Sequence, residues 1–96
     1  MYLEPATELS QKDRDIIRGL KSLIEEIEAV DYYHQRVATT EDNELKALVA
    51  HNRDEELEHA AMLIEWLRRK LPAFDKELHE YLFTEGSLLK IEMEGK

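Results

Sequence analysis

A glutamate and a histidine stand three residues apart in the middle of the chain, within residues 52–59 of sequence NRDEELEH. On an α-helix this spacing places Glu56 and His59 on one face, where both can bind the same ion. Apolar residues continue that face on both sides: Leu45, Leu48, Val49, Leu63, Trp66 and Leu67. An unpaired carboxylate buried on such a face costs several kcal/mol. A divalent metal is the simplest partner, since Glu-x-x-His is the helical half of a di-metal site in four-helix bundles.

A second inward carboxylate comes from an earlier helical pattern. Apolar residues there recur every three or four positions, at Ile16, Leu20, Leu23, Ile27 and Val30. Glu26 follows Leu23 by three residues and precedes Val30 by four, so it lies on the same side of the helix. One chain thus supplies one lone Glu and one Glu-x-x-His, whereas a ferritin-like di-iron bundle needs two of each. We therefore expect a two-fold homodimer that completes a four-helix bundle.

The charges of such a dimer balance. Two copies of Glu26 and Glu56 carry four negative charges, which two divalent ions neutralise, and two neutral His59 side chains complete the shell. Oxygen and nitrogen ligands at about 2.0–2.2 Å suit Fe, Mn or Zn, and Ca is a further candidate at this or another site. The alternative is a surface pair of Glu56 with His59, or an ion pair with Arg53, worth a few tenths of a kcal/mol.

The composition excludes several classes of protein. The 96 residues contain no Cys, which excludes disulfides and thiolate metal sites, and the net charge of −9 argues against nucleic acid and anionic membranes as partners. No apolar run reaches the roughly 20 residues of a membrane span, and the N-terminus lacks a signal-peptide pattern. We expect one domain, residues 1–96, in the cytoplasm. A chain this small buries a limited core, so oligomerisation is a common solution.

The pattern predicts an all-α fold: an antiparallel two-helix hairpin followed by a short C-terminal helix. The expected segments are helix 1 at about 11–37, helix 2 at about 43–70, a short helix at about 73–83 and a tail, 84–96, that docks on a partner or frays. Ser10 is the expected N-cap of the first helix, and Thr40 or Asp42 that of the second. Pro72 is expected to stop helix 2.

Four segments resemble the encapsulated ferritins, and the resemblance covers about residues 17–86. They are residues 25–33 (EEIEAVDYY), 51–62 (HNRDEELEHAAM), 65–69 (EWLRR) and 81–86 (YLFTEG). The resemblance implies a ferroxidase centre built between two chains, with two Fe per dimer, and dimers assembled into an annular decamer. It also implies a location inside an encapsulin nanocompartment, whose shell stores the oxidised iron.

The resemblance also assigns roles to residues. It implies that Glu26, Glu56 and His59 are the ferroxidase ligands and that Tyr33 lies near the metals. A further family feature, an outer metal site between subunits, matches two acidic residues and an aromatic one: Glu25, Glu28 and Tyr32, where Trp is often found. The alternative for this pair of carboxylates is a solvated acidic face.

The C-terminal residues depart from the family pattern. Family members usually end in a flexible peptide that docks on the shell, and residues 87–96 do not resemble one. Two interpretations stay open: the sequence is a truncated core, or the shell is reached differently.

The sequence thus predicts a ferroxidase that oxidises Fe(II) with O2. One alternative is a di-metal peroxidase or oxygenase, which needs an organic substrate pocket. The other is a non-enzymatic helical assembly protein, whose stability would not change when metals are added or removed. Trp66 is assigned to core packing, and His34, His51 and His79 to the surface.

Overall fold

Two long antiparallel helices dominate the computed structural model, which describes residues 2–95. A short 3-10 turn, Ala6–Glu8, precedes them, and the helices are α1 (Gln11–Thr39), α2 (Asn43–Lys70), α3 (Pro72–Tyr81) and α4 (Leu88–Glu94). No β-strand occurs between residues 2 and 95. The predicted all-α hairpin with a short helix after it is confirmed.

Side-chain caps stabilise the N-terminal ends of both long helices. The Ser10 hydroxyl accepts a hydrogen bond from the Asp13 backbone N–H at 3.0 Å, and the Asp42 carboxylate accepts one from the Leu45 N–H at 2.8 Å. Each cap satisfies a backbone donor that the first helical turn leaves without a partner. Of the two cap candidates for α2, the structure selects Asp42 rather than Thr40.

The C-terminal third differs from the prediction. Pro72 ends α2 and is also the first residue of α3. Its missing N–H and fixed φ suit the first turn of a helix. The short helix ends at Tyr81 rather than at residue 83, because Leu82 is extended and Phe83 takes a positive φ of 60°. The tail is not frayed throughout. It forms α4, whose N-cap Ser87 accepts a hydrogen bond from the Lys90 N–H at 3.3 Å.

An ion-pair cluster holds α3 against the end of α2. The Arg68 guanidinium donates two hydrogen bonds of 2.7 Å to the Glu65 carboxylate and a third to Asp75 on α3. Arg69 donates a fourth bond, also to Glu65. Hydrogen bonds from Arg68 and then Arg69 lower the pKa of Glu65 to about 2, whereas the hydrogen bonds to Glu65 and then Asp75 raise the pKa of Arg68.

Much of the apolar face stays uncovered in one chain. Between residues 2 and 95 the buried apolar side chains are Ala60 and Leu67, whereas Leu45 and Leu48 of the same face are half exposed. The radius of gyration is 17.4 Å, against about 12–13 Å for a compact domain of this length. Within the same residues, every helix is too short or too polar to cross a bilayer.

Candidate metal centre

Three side chains converge between the two long helices: Glu26 from α1, and Glu56 and His59 from α2. His59 Nδ1 lies 3.5 Å from Glu26 Oε2 and 3.5 Å from Glu56 Oε2. One ligand atom from each residue lies within 4.8 Å of the others, and no other group of three such residues in 2–95 does so. The three-residue spacing on α2 aligns two of the ligands, and the antiparallel partner helix presents the third.

The spacing of these atoms fits a metal ion better than a hydrogen bond. A separation of 3.5 Å exceeds the usual hydrogen-bond range of about 2.7–3.2 Å. Ligands bonded at about 2.1 Å to one ion stand about 3.0 Å apart in an octahedron and about 3.4 Å apart in a tetrahedron. Glu26 Oε2 is shielded from solvent and has no hydrogen-bond partner. Such buried polar atoms call for an ion or another unseen partner, and two carboxylates with one imidazole suit Fe, Mn or Zn.

The triad is open on one side. The Glu26 and Glu56 side chains are about a quarter exposed, at 24% and 25%, and His59 is 45% exposed. Three donors also leave at least one position of a four- to six-coordinate ion free. One chain therefore presents a half-enclosed ligand set.

Arg53 does not pair with Glu56, which was one of the two surface alternatives. Its Nε lies 3.2 Å from the Asp54 carboxylate, and its Nη1 lies 3.1 Å from His34 Nδ1. His34 is exposed, as the sequence indicated, but it also links α1 to α2. No local pattern could have revealed this link, because it depends on how the two helices align.

All the other predicted site residues lie on α1. Tyr33 is partly buried, and the Arg36 guanidinium sits over its ring at 5.3 Å. Glu25 and Glu28 are exposed, and Tyr32 is 54% exposed. The outer metal site therefore stays a prediction that requires a second chain.

The other two histidines form single-turn surface pairs, His51 with Glu55 at 3.5 Å and His79 with Asp75 at 3.2 Å. Trp66 packs closely against Gly19 of α1, which agrees with core packing.

A comparison with known families decides where the chain belongs. The sequence model of the EncFtn-like family matches residues 1–85. This chain belongs to the EncFtn-like family. It is 58% identical over 93 residues to a ferritin-like protein of Thermotoga maritima, covering 97% of this chain and 82% of that protein. It is 51% identical over 89 residues to an encapsulated ferritin-like protein of Rhodospirillum rubrum, covering 93% of this chain and 64% of that protein.

A solved structure shares this EncFtn-like fold. The crystal structure of protein ne0167 from Nitrosomonas europaea has a TM-score of 0.87 and 62% sequence identity, over 91% of this chain and 96% of that chain. The resemblance to the encapsulated ferritins is thereby confirmed.

Proposed function

We propose that this chain is the subunit of a ferroxidase, which binds Fe(II) at Glu26, Glu56 and His59 and oxidises it with O2. The observation that carries the proposal is the convergence of these ligands around a carboxylate oxygen that is shielded and unpartnered. Membership of a family of encapsulated ferritin-like proteins makes iron the ion of choice. Iron is here the substrate.

The centre is completed by a second copy of the chain. One chain supplies three ligands and leaves them partly exposed, whereas two chains related by a two-fold axis supply six. The four carboxylates of Glu26 and Glu56 then balance two Fe(II) ions, so the cluster is neutral and can be enclosed. A carboxylate that bridges the two ions brings them close together. Tyr33, seven residues after Glu26 on the same side of α1, is the candidate for a role beside them.

The reaction transfers one electron from each Fe(II) to O2. Two electrons and two protons convert O2 to H2O2 and leave two Fe(III). Anionic oxygen ligands favour this direction, because they stabilise the more highly charged ion. The chain's own contribution is to hold the two ions together and to leave open positions for O2.

A second apolar face supports assembly beyond the dimer. With about 100° per residue, Leu20, Ile24 and Ile27 point about 100–160° away from Glu26 around α1. Leu20 and Ile27 of the predicted apolar pattern therefore lie off the side that carries Glu26. Leu20, Ile24 and Ile27 are 41–53% exposed. Pairing at the metal face leaves this second face free, so each dimer can contact others and close a ring, for which we propose the annular decamer.

The proposed partner is an encapsulin shell. The Rhodospirillum rubrum relative is named as encapsulated, and an open ring has no cavity to hold mineral, so storage belongs to the shell. Exposed Glu25 and Glu28, with Tyr32, are the proposed outer site through which iron approaches. The net charge of −9 draws cations toward the protein.

Stopped-flow absorbance of Fe(III) formation in air tests the ferroxidase. We expect Glu26→Ala, Glu56→Ala and His59→Ala each to slow oxidation at least about 10-fold, since even outer residues of metal sites cost that much. Glu58→Ala, an exposed carboxylate one residue from His59, is the control and should keep the wild-type rate. Wild-type rates in all three ligand variants would overturn the proposal.

Native mass spectrometry with and without Fe(II) tests the shared site. We expect two metals per dimer and a larger share of assembled protein when metal is present. If Fe(II), Zn(II) and chelator change neither the subunit count nor the thermal stability, the helical assembly protein is favoured instead. Turnover of an organic substrate with peroxide would favour the peroxidase or oxygenase.

A further inference from the structure

Gly19 lies inside α1, where Trp66 of α2 packs against its backbone. It is buried, and a Cβ built on it would stand 2.6 Å from Trp66 Cζ3 and 3.0 Å from Trp66 Cε3. Carbon atoms in contact normally lie about 3.5–4.0 Å apart. The Trp66 ring therefore rests against a surface of α1 that only glycine leaves free.

Trp66 is partly exposed, and its contact with Gly19 confines the ring on the side that faces α1. The atoms nearest Gly19 belong to the rigid indole rather than to a flexible chain end, and Leu67 Cδ2 stands 3.4 Å from the same Cβ position. Lys70 Nζ lies 5.7 Å from the indole centroid on the next turn of α2. A side chain at position 19 would push the two helices apart.

The metal triad lies between this contact and a second one. Gly19 precedes Glu26 by seven residues, about 10 Å along α1, and His34, which pairs with Arg53 of α2, follows Glu26 by eight residues, about 12 Å. The separation of α1 and α2 at the ligands is thus fixed from both sides, by a steric contact at one end and a hydrogen bond at the other.

We infer that Gly19 is a positioning residue for the metal centre, which acts through Trp66 to keep Glu26 within bonding distance of the ion that His59 holds. This inference rests on the proposed metal-binding function. An added methyl group needs about 1 Å of extra room at position 19. With the His34–Arg53 contact as pivot, roughly half of that reaches Glu26. Metal–ligand distances tolerate only about ±0.2 Å, so binding should suffer.

Co(II) binding to the full chain, followed by its visible absorption, tests the inference. We expect Gly19→Ala to weaken Co(II) binding about 10–100-fold, as other supporting residues of metal sites do. Trp66→Leu alone should also weaken Co(II) binding, but less than Gly19→Ala does, because it removes the contact without adding a clash. Adding Trp66→Leu to Gly19→Ala should raise the affinity back to that of Trp66→Leu alone, because the clash is gone. Trp66→Leu must lower the melting temperature of the metal-free protein, since it leaves a cavity.

These results separate positioning from stability. A positioning role predicts that affinity and melting temperature do not change in parallel across the three variants. Gly19→Ala binding Co(II) like the wild type, or affinity that simply follows melting temperature, would overturn the inference.

A metal-free measurement keeps the inference distinct from the proposed function. If the wild type and Glu56→Ala bind Co(II) equally, the proposed metal centre is wrong. The crystal structure of metal-free Gly19→Ala then tests, without metal, whether Gly19 sets the separation of the two helices. A separation of Glu26 Oε2 from His59 Nδ1 that stays at the wild-type 3.5 Å contradicts it, and a wider one supports it.

Discussion

Replacing Glu26 with Gln should change the stability of this protein in opposite directions with and without metal. The substitution keeps the shape of the side chain and removes its charge. In metal-free protein the Glu26 and Glu56 carboxylates lie within 4.8 Å of each other, and one oxygen of Glu26 has no hydrogen-bond partner. The variant is relieved of this repulsion, but it also loses a proposed metal ligand.

The magnitude follows from Coulomb's law. At 4.8 Å, two unit charges repel by about 3.5 kcal/mol at an effective dielectric constant of 20 and by about 0.9 kcal/mol in water. Since both carboxylates are a quarter exposed, solvent screening leaves about 1 kcal/mol. For a chain of this size that corresponds to a rise of about 4–8 °C in the melting temperature. Saturating metal, at 100 times Kd, should stabilise the wild type by about 2.7 kcal/mol and the variant by much less.

Thermal unfolding followed by circular dichroism gives the melting temperatures of the wild type and Glu26→Gln, with EDTA or with Mn(II), at one fixed protein concentration. Glu58→Gln, the same chemical change at an exposed position of α2, is the control and should behave like the wild type in both conditions. We expect Glu26→Gln to melt above the wild type in EDTA and below it in Mn(II). A variant that melts below the wild type in EDTA, or a wild type that ignores Mn(II), would refute the reasoning.

Three further predictions concern the rest of the fold. The folded state lowers the pKa of Glu65 from its ordinary 4.5 to about 2, so its pairing with Arg68 stabilises the protein above pH 4.5 and is lost as the pH falls towards 2. Between pH 4.5 and 2 the melting temperature of Glu65→Gln should fall less with pH than that of the wild type. Parallel melting curves of the two proteins over this range would contradict the prediction. Arg53→Met and His34→Ala should each cost about 1 kcal/mol in urea unfolding and couple in a double-mutant cycle, whereas simple additivity would exclude their contact. Phe83→Gly should stabilise the protein by about 1 kcal/mol, because the Phe83 side chain is fully exposed in the single chain and its backbone is left-handed. A loss of stability in urea would show that Phe83 packs in the assembly.

The features that the sequence predicts well are those set by local geometry. Ser10 caps α1 because a short acceptor precedes a helix, and Glu56 and His59 share a face because three residues make nearly one turn. The phase of the apolar pattern also placed Glu26 towards α2, where the structure has it.

The features that the sequence misses depend on the alignment of two helices or on short segments. No period in either helix indicates that Gly19 faces Trp66 or that His34 reaches Arg53. The helix α4 has only seven residues, too few for a periodic pattern to stand out from a frayed tail. Leu48 of the predicted apolar face is 57% exposed in the single chain, and the proposed homodimer would cover it.

The scarcity of buried side chains in the single chain has a consequence for how this protein is made. With Ala60 and Leu67 as the buried apolar side chains among residues 2–95, a newly synthesised subunit gains little by folding in isolation. In the proposed homodimer, folding and association are one bimolecular event, so the refolding rate and the unfolding midpoint should both rise with protein concentration. For the proposed ferroxidase, subunits without a partner would remain open to proteases, and their degradation would remove surplus copies before they bind Fe(II) outside the proposed assembly.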